Sequence, residues 1–117
     1  MNEIRKAIVN NQEIVEVDYS NCNEDRMIEV LSTVRAIIRE ENKPHRVLAI
    51  FNERSFLTPK VMAVFNSERL GSNLLERQAA IGVSNPKKGI IYGHNILENN
   101  HIQVFESKEE ALKYLAG

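Results

Sequence analysis

The sequence has little of several residue types, and each shortage excludes a class of protein. Tryptophan is absent and aromatic residues make up 6% of the chain, which leaves little material for stacking nucleic-acid bases. The single cysteine, Cys22, excludes an intrachain disulfide and fits a reducing compartment. Neither sign of charge dominates, with 15 Lys and Arg against 16 Asp and Glu. A balanced surface gives no electrostatic footprint for nucleic acid or an anionic membrane.

Long apolar runs are also absent. No segment approaches the ~20 apolar residues that span a bilayer. No apolar core of signal-peptide length follows residues 1–6. We therefore expect a cytoplasmic protein without a membrane span. The 117 residues fit one domain covering 1–117, which is large enough to bury a core without disulfides or metal.

Strand-like and helical spacings of apolar residues alternate along the chain. Two β-branched stretches around Asn10-Asn11-Gln12 predict an N-terminal hairpin, because asparagine tolerates left-handed backbone angles. A helical stripe runs through 27–38, and the unbroken apolar run 47–51 is typical of a central strand covered on both faces. Segments 77–83 and 101–105 predict two further strands. The predicted order is β-β-α-β-α-β-α-β-α, which indicates an α/β fold with a mostly parallel sheet.

Each predicted helix begins at a side chain that can cap free backbone N–H groups. Asn21 or Asn23 can cap the first helix. Thr58-Pro59 and Ser84-Asn85-Pro86 each place a capping side chain ahead of a proline in the first helical turn. Ser107, with a glutamate three residues later, forms a capping box before the last helix.

Three segments together carry a family resemblance. They are the run 47–51 with its loop and the Thr58-Pro59 helix start, the strand 79–83, and the closing segment 105–115 with its acidic helix start and Ala-Leu-aromatic-Leu ending. In these features the chain resembles the SpoIIAA-like family, small bacterial domains grouped with STAS and Sec14-type folds. The resemblance covers nearly the whole chain. It implies a βα superhelix with a mostly parallel sheet, an N-terminal hairpin and helices packed on it.

The resemblance also implies two kinds of function. STAS relatives include anti-sigma-factor antagonists, which bind partner proteins and are switched by phosphorylation of a serine at a helix start. This chain lacks the family's Asp-Ser-Ser-Gly segment near 58–61, and Ser55 and Thr58 are the hydroxyls nearby. Sec14-type relatives bind lipids. Because one fold serves many functions, the fold alone decides neither.

The loop 52–58 is the best candidate site, because ligands of open α/β sheets sit beyond the carboxyl ends of the strands. Ser55, Phe56 and Thr58 in this loop are candidate contacts for a ligand or partner. Lys87 and Lys88 follow a helix start at the same edge, where free N–H groups attract anions. The competing interpretation is that Thr58 is an ordinary cap, that the lysines are solvated, and that Phe56 plugs the edge of the core.

No residue pattern indicates catalysis, a cofactor or a metal. His45, His94 and His101 lie in separate segments, without the close pairing of helix-borne zinc sites. Cys22 has no local histidine or aspartate partner, which favours a small buried residue over a nucleophile. Paired acids fall at helix ends, where they stabilise the helix dipole.

We therefore expect a non-catalytic binding or regulatory module that acts through protein contacts. Homodimerisation through a helix face or the hairpin edge is compatible with this expectation. The alternative is a small apolar-ligand or lipid-binding protein of Sec14-like kind. Its pocket would be lined by Phe51, Phe56, Met62, Phe65, Ile91 and Tyr92.

Overall fold

A computed structural model of the chain describes residues 3–67, 74–97 and 102–117. These residues form nine helices and strands. The predicted order of elements is confirmed. The elements are β1 (Ile4–Val9), β2 (Gln12–Asp18), α1 (Glu24–Glu41), β3 (His45–Ile50), α2 (Pro59–Ser67), β4 (Leu75–Ile81), α3 (Asn85–Leu97), β5 (Ile102–Phe105) and α4 (Lys108–Ala116).

The hairpin β1–β2 closes on a two-residue turn. Asn10 and Asn11 have φ angles of 50° and 64°, which are the left-handed angles of a type I′ turn. This turn matches the right-handed twist of the two strands, which pair from Val9 opposite Gln12 to Ile4 opposite Val17. The predicted hairpin is therefore confirmed, and its asparagines supply the backbone angles that the turn requires.

The five strands lie in the order β1-β2-β3-β4-β5, so each strand pairs with the next one along the chain. Only β1 and β2 are antiparallel among these pairs, and the remaining three pairs are parallel. Each parallel connection steps in the same direction across the sheet and has the same handedness, so its helix packs on the same face. The result is an α/β fold with a mixed, mostly parallel sheet.

The sheet separates two apolar clusters. On one face, α1, α2 and α3 pack on side chains such as Val15, Val47 and Ala80. On the other face, α4 packs on the alternate residues of the same strands. That second cluster contains Ile14, Leu48, Ala79, Ala111 and Leu115. Burial of both faces explains why 47–51 reads as an unbroken apolar run.

The start of α1 resolves the choice between two caps. The side chain of Asn23 accepts a hydrogen bond from the Arg26 N–H at 2.8 Å and is the N-cap. Asn21 instead has a φ of 61° in the preceding loop. The helix ends at Asn42, whose left-handed backbone lets its N–H donate to the Ile38 carbonyl.

α4 is fastened at both ends. Ser107 caps its start by accepting from the Glu110 N–H at 3.2 Å, as predicted. At its end, the guanidinium of Arg46 donates to the carbonyls of Leu115 and Gly117. Arg77 donates to the Tyr114 carbonyl at 2.6 Å. Cations at a helix C-terminus satisfy its free carbonyls and oppose its dipole, so these arginines tie α4 to β3 and β4.

Ser107→Ala should lower the free energy of unfolding by about 1 kcal/mol, because the Glu110 N–H loses its acceptor. Urea denaturation measures the change. Ser107→Thr keeps a hydroxyl that accepts from this N–H and donates to the Glu110 carboxylate, so it should keep the stability of the parent. Equal losses in both variants would show that packing at this position, and not the cap, sets the effect.

None of the helices in the described residues is long and apolar enough to cross a membrane.

Candidate functional site

Three loops meet where the parallel strands end. They follow β2, β3 and β4, and they surround an open cleft of about 700 Å³. Polar side chains on its rim are Asn21, Asn52, Glu53, Arg54 and Ser84, and the lining also includes Phe51, Gly82 and Val83. This is the edge at which ligands of open α/β sheets are bound. Residues 52–54 of the predicted candidate loop, 52–58, line the cleft, and residues 55–58 continue the loop away from it.

Two asparagines join the loops after β2 and β3. The side-chain amide of Asn52 donates to the Asn21 side-chain oxygen at 2.9 Å. Its own oxygen accepts from the backbone N–H groups of Asn21 and Arg54, each at 3.0 Å. Because these contacts span loops that are 31 residues apart in the chain, the cleft has a fixed polar wall. Sequence patterns did not single out either asparagine for this role.

Ser55 lies beneath the loop, with 2% of its surface exposed. Its hydroxyl donates to the Tyr19 carbonyl at 2.9 Å and accepts from the Asn52 N–H at 2.9 Å. This predicted contact residue therefore holds the loop against Tyr19, the residue that follows β2. The hydroxyl faces inward and is not presented to solvent.

Phe56 is the exposed residue of the same loop, with 55% of its surface accessible. Its neighbours, Ser55 and Leu57, are 2% and 6% exposed. Its backbone N–H donates to the Cys22 carbonyl at 3.1 Å. Since the residues on both sides are buried and the backbone is bonded, the ring is held outside the core.

Lys87 and Lys88 make separate contacts. The ammonium of Lys87 donates to the backbone carbonyl of Ser55 and, at 3.4 Å, to that of Glu53. Lys88 pairs with the Glu106 carboxylate at 3.0 Å. The two predicted cations are therefore engaged with the chain itself. Lys87 ties α3 to the candidate loop, which adds a further constraint on the backbone beside Phe56.

Thr58 caps α2, as its ordinary interpretation predicts. Its hydroxyl accepts from the Val61 N–H at 3.3 Å and donates to the Glu24 carboxylate at 2.8 Å. The Thr58 hydroxyl and the Lys60 ammonium lower the pKa of Glu24 from its ordinary value. The hydroxyl thereby links the start of α2 to the start of α1.

Arg54 belongs to the predicted loop 52–58, but the sequence reasoning did not single it out as a contact residue. It is exposed at the rim of the cleft. Its guanidinium makes no hydrogen bond or ion pair with any residue that the structure describes. Nothing in the sequence separates it from other surface arginines. The fold adds that the next residue, Ser55, is buried, and that Arg54 and Phe56 on either side of it are exposed.

A second cavity lies inside the core, between the sheet and the helices α1, α2 and α3. Its volume is about 50 Å³, and its lining includes Phe51, Met62 and Ile91. Phe56 and Tyr92 are exposed and do not line it, and the side chain of Phe65 lies outside the described residues. An apolar cavity of ~150 Å³ is needed to hold a molecule the size of benzene. The space between the described residues is therefore too small for a lipid chain.

Two buried groups near the cleft, Tyr19 and Cys22, also have altered acidity. The ring of Tyr19 stacks on Phe51 at a centroid distance of 5.3 Å, and burial raises the pKa of its hydroxyl. Burial likewise raises the pKa of the Cys22 thiol, which disfavours the reactive thiolate. Within residues 3–67, 74–97 and 102–117, no three histidine, cysteine or acidic side chains group as metal ligands would. His101 lies outside these residues.

Comparisons with models of protein families, with curated proteins and with solved structures gave no significant match to this chain.

Proposed function

We propose that this chain is a non-catalytic binding module that docks a protein partner on a surface centred on Phe56. This Phe56 surface consists of Phe56, Arg54 and the neighbouring rim of the cleft. The observation that carries the proposal is the exposed aromatic ring on a loop whose backbone and Ser55 side chain are hydrogen-bonded to the rest of the fold.

A fixed aromatic side chain is suited to protein contact. Aromatic residues and arginine are enriched at protein interfaces, and a few of them contribute most of the binding energy. Binding costs less when the contact residue is already ordered, because little conformational entropy remains to be lost. Ser55 and Lys87 provide that order for Phe56 before any partner arrives.

Charge supports the same surface. Arg54 makes no ion pair with a described residue, so its guanidinium is available to a carboxylate of a partner. Glu53 beside it is also exposed. A partner that fits would therefore bring an apolar pocket for the Phe56 ring and an acidic group near Arg54.

We also propose that the fold is the βα superhelix of the SpoIIAA-like and STAS domains. The sequential strand order and the helices α1, α2 and α3 on one face support this assignment. A phosphorylation switch in this chain has less support. The Ser55 hydroxyl is buried and bonded, and the Thr58 hydroxyl caps α2. Partner binding would then not be controlled by phosphorylation of either hydroxyl.

Phe56→Ser should reduce capture of protein partners at least tenfold. The full chain is immobilised, exposed to a lysate of its own host, and the bound proteins are quantified by mass spectrometry. Tyr92→Ser is the matched control, because Tyr92 is 52% exposed but lies two turns along α3. Both variants should unfold at the same urea concentration as the parent, since neither ring is part of the core.

Two results would contradict the proposal. One is equal capture by the parent and Phe56→Ser. The other is a retained apolar molecule in native mass spectra of gently purified protein, which would indicate the small-ligand alternative.

A further inference from the structure

β1 is the end strand of the sheet, and it pairs only with β2 among the residues that the structure describes. The backbone groups on its outer side therefore have no partner strand there. An unpaired edge is a template for adding another strand, and natural proteins usually protect such edges.

The hydrogen-bond pattern of the hairpin shows which residues face outward. The Asp18 N–H donates to the Glu3 carbonyl at 2.7 Å, so Glu3 and Asp18 form a hydrogen-bonded pair. In antiparallel strands such pairs alternate with pairs that are not hydrogen-bonded. Residues 5, 7 and 9 of β1 thus bond to β2. The N–H and C=O groups of Ile4, Lys6 and Ile8 point away from the sheet.

This edge lacks two of the usual protections. β1 contains no proline, and its pairing with β2 has no bulge. Ile8 is 68% exposed, the highest value among the exposed large apolar side chains of the described residues. A lysine normally discourages strand addition, but the Lys6 ammonium is engaged by Glu41 and, at 3.6 Å, by Glu13.

We propose that β1 pairs antiparallel with β1 of a second copy of this chain, about a two-fold axis at Ala7. Lys6 of each copy then lies opposite Ile8 of the other, and four backbone hydrogen bonds form between these residues, two in each pair. The two sheets become one continuous sheet. This contact uses no residue of the Phe56 surface and does not rest on the function proposed above.

Charge selects the second copy and its register. With the axis at Ala7, the stem of each lysine covers the exposed Ile8 of the other copy, and Arg5 lies opposite Val9. No like charges lie directly opposite each other, and the two lysines, which are diagonal neighbours, each contact glutamates of their own copy. With the axis at Lys6, the two ammonium groups would lie directly opposite each other, which is destabilising.

Cysteine cross-linking of the full chain tests both the contact and its register. Ala7→Cys should form a disulfide-linked dimer under mild oxidation, because opposed residues of a pair without hydrogen bonds are close enough for a disulfide. Arg5→Cys, which keeps Lys6, is the neighbouring control and should remain monomeric, since residue 5 lies opposite Val9 of the other copy and the sulfur atoms would be offset along the strands. The parent chain, whose Cys22 is buried, measures background oxidation.

A second substitution tests the backbone hydrogen bonds. Adding Ile8→Pro to Ala7→Cys removes an outward N–H and no bond to β2, so the cross-linked fraction should fall at least tenfold. Adding Ile8→Thr keeps the N–H and should retain most of the dimer. Cross-linking of Arg5→Cys but not Ala7→Cys would overturn the proposed pairing. Monomeric Ala7→Cys with a parent-like circular dichroism spectrum would overturn the contact altogether.

Discussion

Leu48→Asp should abolish folding. Leu48 lies in β3, the third strand of five, and none of its surface is exposed. Its side chain packs in the apolar cluster that α4 covers, and the residue opposite it on β2 is the buried Glu16, a second carboxylate. Burying an unpaired charge costs several kcal/mol, which is comparable to the ~5–15 kcal/mol that holds a domain together. Far-UV circular dichroism and amide NMR dispersion at pH 7 measure the loss.

The control for this variant is Leu48→Met. A swap of similar volume in a core usually costs less than ~1.5 kcal/mol, so this protein should remain folded. Ile50→Asp, in the same strand but half-buried, should be less severe than Leu48→Asp. A folded Leu48→Asp with the urea midpoint of the parent would refute the central position of β3.

Gly82→Ala should lower the free energy of unfolding by at least about 3 kcal/mol. Gly82 has a φ of 74°, and left-handed angles cost an L-residue about 1–2 kcal/mol. A Cβ at this position would also lie 1.9 Å from the backbone carbonyl oxygen of Phe51. The end of β4 must therefore separate from the end of β3, where the cleft is formed. Urea denaturation gives the size of the loss.

Gly89→Ala provides the opposite expectation within the same chain. Gly89 lies inside α3, and a Cβ there would meet no atom within 4 Å. Alanine stabilises a helix interior by about 0.8–1.0 kcal/mol relative to glycine, so this variant should gain stability. If both glycine variants shifted the urea midpoint in the same direction, the close approach of Gly82 to the Phe51 carbonyl would not explain the effect of Gly82→Ala.

The order of elements could be predicted because its signals are local. The two asparagines of the hairpin turn, the cap of Ser107 and the apolar run of β3 each act through residues close in sequence. Such signals do not depend on the rest of the fold. The predicted strand boundaries differ from the structure by one or two residues, as at β4, which begins at Leu75.

The position of the candidate loop in the fold could be predicted from sequence, but its contacts could not. Topology places the loop 52–58 at the carboxyl edge. However, loops have no hydrophobic period, so the adjacent Phe56 and Leu57 give no sign that one is exposed and the other buried. The burial of Ser55 depends on the Tyr19 carbonyl, 36 residues earlier. Contacts of this length are decided by the packed fold and leave no local pattern.

The position of α4 has a consequence for synthesis on the ribosome. Within the described residues, it is the helix that covers the second face of the sheet, and it follows every strand of that sheet. At about 5–20 residues per second, the completed strands wait on the order of a second before this helix emerges. During that interval the apolar residues Ile14, Leu48 and Ala79 have no cover from α4. Until α4 docks, this face of the nascent chain exposes apolar surface of the kind that promotes aggregation.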